Sequence, residues 1–92
     1  MLKQYVLVFD ETLVSRDDIT SFLNTDSNIK NWLAFMSNSV IVTTDQDAHY
    51  LSNILHGKFE SMNMFITEVV HGNNNGWLNK DSWDFINNPQ SA

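Results

Sequence analysis

The segment Lys3-Gln4-Tyr5-Val6-Leu7-Val8-Phe9 constrains this chain more than any other. Apolar residues follow one another from Tyr5 to Phe9, so a strand here carries Tyr5, Leu7 and Phe9 on one face and Val6 and Val8 on the other. A strand that is apolar on both faces needs cover on both sides. The fold must therefore supply a layer above and a layer below it. With 92 residues there is room for one core and no second one.

The elements that follow are read from periodicity and caps. Ser15 fits a helix N-cap, with Asp17 and Asp18 in the first turn and Ile19, Phe22 and Leu23 at helical spacing, which predicts a helix over about 16–24. Leu33 to Met36 and the β-branched run Ser39–Thr44 read as two strands joined at Ser37-Asn38. Thr44 or Asp45 is expected to cap a second helix, in which Ala48, Leu51, Ile54 and Leu55 form one stripe and Gly57 ends it. Met62 to Val70 reads as the last strand, with Met64 and Ile66 on one face and Phe65, Thr67 and Val69 on the other. Gly72-Asn73-Asn74-Asn75-Gly76 is turn-forming. After it, Asn79 fits an N-cap, with Leu78 and Trp83 placed as a hydrophobic staple on a short helix to about Asn87.

With right-handed crossovers this order gives an α+β, ferredoxin-like fold: a four-stranded antiparallel sheet (βαββαβ) with two helices on one face and a short C-terminal helix. Residues 1–71 form the ferredoxin-like part, and 72–92 a loop, short helix and frayed tail of the same domain. The predicted core comprises Val6, Leu7, Val8, Phe22, Leu23, Val40, Val42, Leu51, Ile54, Leu55, Phe65 and Ile66. The second sheet face needs either a partner subunit or the C-terminal segment, and the sequence leaves both open.

Charge narrows the partners. Eleven Asp and Glu against five Lys and Arg give a net charge of −6. The five cations, Lys3, Arg16, Lys30, Lys58 and Lys80, stand singly, whereas phosphate binding draws on clustered ones. A protein partner is favoured over nucleic acid. The chain has no cysteine, which removes disulfides, thiolate metal sites and thiol nucleophiles. No apolar run reaches the length of a membrane span and no basic-then-apolar leader opens the sequence, so a cytoplasmic protein without membrane attachment is expected.

Chemistry-bearing residues are few. Asp10 ends the first strand, where it serves either as a loop cap for donors near Thr12 or as an oxygen ligand for Mg²⁺ or Mn²⁺. Glu11 beside it faces the other way in extended chain. His49 and His56 are seven apart, outside the three- or four-residue spacing of helical metal pairs, and His71 borders the glycine loop. Trp77, Trp83 and Phe85 lack the basic neighbours of a base-stacking site, with Asp81 and Asp84 beside them instead, and read as interface anchors.

The pattern from Tyr5 to Asp10, then Trp32, then Ser37 to Asp45, then Phe65 to Val70 with a following glycine, resembles small bacterial proteins of the SinR family. Their fold is similar to that of VapD and of the small CRISPR-associated adaptation subunit. The resemblance spans most of residues 3–72. It implies a homodimer joined through sheets and C-terminal segments, and for some members a metal-dependent endoribonuclease that uses an aspartate at the position of Asp10. The arginine following in that motif has only a loose counterpart in Arg16. The acidity of this chain departs from the nucleic-acid-handling members. The residues favour a small acidic protein-interaction module without a cofactor, an inhibitor or regulator of a bacterial or phage partner protein. The alternative is an endoribonuclease using Asp10 with Mg²⁺ or Mn²⁺.

Overall fold

A computed structural model of the chain describes residues 1–90. The elements run β1 (Lys3–Phe9), α1 (Arg16–Leu23), β2 (Ile29–Met36), β3 (Ser39–Thr44), α2 (Ala48–Lys58), β4 (Met64–Glu68) and α3 (Lys80–Asn87). The four strands make one sheet in the order β2-β3-β1-β4, with every neighbouring pair antiparallel. Among the described residues the fold is α+β with three helices. Among the described residues no helix is long and apolar enough to cross a membrane. Fraying was expected of residues 90–92; residues 91 and 92 lie outside the described ones.

The two-sided strand lies inside the sheet, between β3 and β4. On one face Tyr5, Leu7 and Phe9 join Val40 and Val42, and α1 and α2 cover them with Ile19, Leu23, Leu51 and Leu55. Met62 closes that core, and Phe22 meets Phe59 edge-to-face at 5.7 Å. The other face presents Gln4, Val6 and Val8, in register with Thr43, Ile41 and Ser39. Here α3 folds back over its own sheet, enclosing a small hollow among Val6, Phe35, Ile41, Leu78, Trp83 and Ile86. The C-terminal segment, one of the two covers the sequence left open, therefore lies on this face.

Local chemistry explains most boundaries. Ser15 Oγ accepts from Asp18 N at 3.1 Å, and Asn79 Oδ1 from Ser82 N at 2.8 Å, which starts α1 and α3 where their caps predict. The start of α2 differs from expectation. Asp47 is the cap, accepting from Tyr50 N at 2.9 Å. Thr44 is unavailable because its hydroxyl already donates to Asn28 O at 2.6 Å and accepts from Gln46 N. Gly57 does not stop α2, which continues to Lys58. β2 begins at Ile29, four residues before the apolar run, because β3 offers it a pairing surface through register shifts near Asn31 and Met36. β4 is shorter than expected, at five residues.

The core also needs correction. Phe65 is 67% exposed and Val8 38% exposed. They form a cross-strand pair on the face that α3 covers, but α3 packs toward β2, at the opposite edge. Tyr5, Phe9, Ile19, Ile41 and Met62, absent from the predicted core, are buried instead.

Leu55 is fully buried between α2 and the sheet. Leu55→Ala should lower unfolding free energy by about 2–5 kcal/mol, whereas Phe65→Ala should change it by no more than about 1 kcal/mol. Urea denaturation midpoints of the two variants check both values. Equal effects would refute this assignment of the core.

Candidate functional site

Asp10 sits where β1 gives way to the loop before α1. Its N–H still donates to Asn63 O at 3.0 Å, so the residue is fixed to β4's approach. Its carboxylate turns back on the loop: Oδ1 accepts from Thr12 N at 3.0 Å and from Thr12 Oγ1 at 2.6 Å. Leu13 N donates to the Asp10 carbonyl at 3.1 Å. This is an Asx turn, the loop-capping role weighed for Asp10 from sequence. The Thr12 hydroxyl, and then the Thr12 N–H, hold the Asp10 carboxyl below its ordinary value. Arg16 does not join Asp10; its one side-chain hydrogen bond among the described residues goes to Met36 O, at 3.2 Å.

The histidines remain apart. His49 and His56 are both exposed on α2, and His71 is exposed in the turn before Gly72. Among the described residues no three His, Asp or Glu side chains come together as a metal site.

The C-terminal aromatics are divided by the fold. Trp77 is fully exposed beyond Gly76. Trp83 lies partly buried beside Val6, Ile41 and Ile86. Phe85 is also partly buried, and its carbonyl accepts from Gln4 Nε2 at 2.9 Å. That bond is the polar anchor of α3, made from a glutamine that is 1% exposed. Gln4 Nε2 also reaches Thr43 Oγ1 at 3.4 Å, while Gln4 Oε1 is buried with no hydrogen-bond partner among the described residues. Gly72 turns the chain toward this segment with a φ of 80°, a conformation that glycine adopts without strain.

Two further clusters went unread in the sequence. Tyr50 Oη donates to Asp26 Oδ2 at 2.7 Å and accepts from Asn28 Nδ2 at 2.9 Å, which ties the α1–β2 loop to α2. The Asp26 bond raises the Tyr50 pKa, and the Asn28 bond opposes it. Tyr5 Oη donates to Gln46 O at 2.7 Å. Its pKa is raised, first by burial and then by the Glu68 and Asp47 carboxylates. No local spacing announces either cluster, since each joins residues more than twenty positions apart.

The Asp10 turn makes a pH-dependent contribution. The folded value lies below the unfolded one, so the contribution is complete above the ordinary aspartate value and disappears as pH falls through the folded value. Thr12→Val should move the Asp10 carboxyl titration upward, toward the ordinary aspartate value, as followed by ¹³C NMR. An unchanged titration would remove the Thr12 hydroxyl as its cause. Comparison of the chain with protein-family models, curated proteins and solved structures finds no match.

Proposed function

We propose that this chain is a small acidic protein-interaction module, an inhibitor or regulator of a bacterial or phage partner protein, acting in the cytoplasm. One observation carries the reading: Trp77 stands fully exposed, on a chain of net charge −6 whose cations are scattered. Tryptophan in contact with solvent loses the benefit of burial, and an interface is where that benefit is recovered. Trp83 and Phe85 contribute by holding α3 in place, so that the segment before it, which carries Trp77, leads into a helix with a fixed position. The strand arrangement supports a ferredoxin-like plan with α3 added to it, in keeping with the resemblance to the SinR family and VapD. Homodimerisation belongs to the same reading, with the uncovered Val8–Phe65 corner as apolar surface available to it.

A metal-dependent endoribonuclease is the second reading, favoured by the position of Asp10 at a strand end with its carboxyl held toward the ionised form. Mg²⁺ or Mn²⁺ would take its oxygens, and with no triad among the described residues the remaining ligands would come from a second copy or from RNA.

Affinity capture from the native host, with the wild-type chain beside Trp77→Ala, tests the first reading. The expected result is a protein partner whose affinity falls about thirtyfold in the variant, with an unchanged thermal midpoint. Recovery of RNA in place of protein would refute it. Incubation of mixed-sequence RNA with Mg²⁺ or Mn²⁺ should show no cleavage. Cleavage that Asp10→Asn abolishes would establish the second reading in its place.

A further inference from the structure

β4 is an edge strand, and the hydrogen bonds flanking it reveal which of its backbone groups are free. Asp10 N donates to Asn63 O at 3.0 Å and Val69 N to Gln4 O at 2.8 Å. In an antiparallel ladder the bonded residues alternate, so odd-numbered residues of β4 bond to β1 and the N–H and C=O groups of Met64, Ile66 and Glu68 point away from the sheet. No hydrogen bond from another described residue meets them.

The two edges of the sheet are treated differently. β2 carries Lys30 and two register irregularities, devices that blunt an edge. β4 pairs with β1 in unbroken register from Met64 to Glu68 and contains neither lysine nor proline. Beside it runs a groove of about 260 Å³, lined by Met64, Phe65 and Ile66 on one side and Ala48, His49 and Ser52 of α2 on the other. The small side chains of Ala48 and Ser52 leave space under the helix. Glu68 pairs in register with Tyr5, whose hydroxyl donates to Gln46 O beside Asp47, so the Tyr5 ring runs from one carboxylate-bearing residue toward the other. Neither forms an ion pair with a described residue.

Resting on the interaction-module reading, we propose that β4 takes an extended segment of a partner protein as a fifth strand. The segment places apolar side chains against Met64 and Ile66 and a lysine or arginine beside Asp47 and Glu68. Backbone pairing supplies affinity, while the groove and the two carboxylates select the sequence. A second copy of this chain fits the edge less well. Antiparallel pairing of two β4 strands about Ile66 sets each Glu68 against the other copy's Met64, with no cation to meet the carboxylate.

The probe is a blocked seven-residue peptide of alternating isoleucine and threonine that ends in two lysines. Two controls accompany it: the same peptide with glutamates for lysines, and one N-methylated at alternate backbone nitrogens. In ¹⁵N titrations the lysine peptide should shift the amides of Met64, Ile66 and Glu68 together with Ala48 and Ser52. It should bind at least tenfold more tightly than the glutamate peptide, and N-methylation on the edge-facing side should abolish binding. Asp47→Asn with Glu68→Gln should erase the lysine preference while the unfolding midpoint holds. The proposal is overturned by absence of binding at millimolar peptide, by equal affinity for both charge forms, or by shifts centred on Trp77. Concentration-dependent broadening of β4 amides without peptide would assign the edge to a second copy instead. A captured partner that depends on Trp77, with the peptide leaving β4 untouched, removes the edge while the module reading stands. Capture of RNA alone removes the module reading itself.

Discussion

The whole arrangement depends on covering β1 from both sides. A strand with Tyr5, Leu7 and Phe9 on one face and Val6 and Val8 on the other is stable only between two layers. α1 and α2 make the first layer with Ile19, Leu23, Leu51 and Leu55. The second layer is thinner and is built from a single eight-residue helix, α3. A helix this short has little stability of its own, so its position is set by what it docks against. Ile86, buried at 6% exposure, supplies the apolar contact, and the Gln4–Phe85 bond fixes the register of the helix on the sheet.

That anchoring bond has an energetic cost built into it. Gln4 is buried near the start of β1, and its amide oxygen has no hydrogen-bond partner among the described residues, so burying that polar side chain favours the fold less than an apolar one would. A leucine there would pack without that penalty, but it could not tell one position of α3 from the next. The polar pair thus trades some stability for a defined placement of the segment carrying Trp77, the exposed residue on which the functional reading rests.

The parts of this fold that were legible in sequence are those set by neighbouring residues. Ser15 and Asn79 cap their helices as expected because the cap bond spans only three positions. β1 was legible from its unbroken apolar run, and the Ser37-Asn38 turn from the strands flanking it. The misread parts all depend on distant partners. Thr44 looks like a cap until Asn28, sixteen positions away, takes its hydroxyl. Ile29 to Asn31 look like loop until β3 is beside them. Phe65 looks like core because alternation reports which face a residue lies on, not whether anything covers that face. Asp10 was legible as a strand-end carboxylate with a turn-forming partner, and the Asx turn to Thr12 is the local half of that reading. The separation of Trp77 from Trp83 and Phe85 was not legible, since it follows from where α3 lands.

Net charge gives the exposed apolar surface its selectivity. Two copies of a chain at −6 repel one another at long range, which opposes casual pairing at the β4 edge and must be outweighed by apolar contact wherever copies do associate. The same field attracts a basic segment and raises its rate of encounter. At physiological ionic strength both effects are confined to about 8 Å, so the carboxylates nearest the edge matter more than the total. Added salt therefore acts with opposite signs on the two kinds of contact: it relieves repulsion between copies and weakens attraction to a cation-bearing partner. An edge strand left without lysine or proline is hazardous in a neutral protein. On the proposed reading, acidic charge near the edge would favour a cation-bearing segment at β4 over pairing of β4 with its own copy, which leaves the Val8–Phe65 corner as the surface for a dimer.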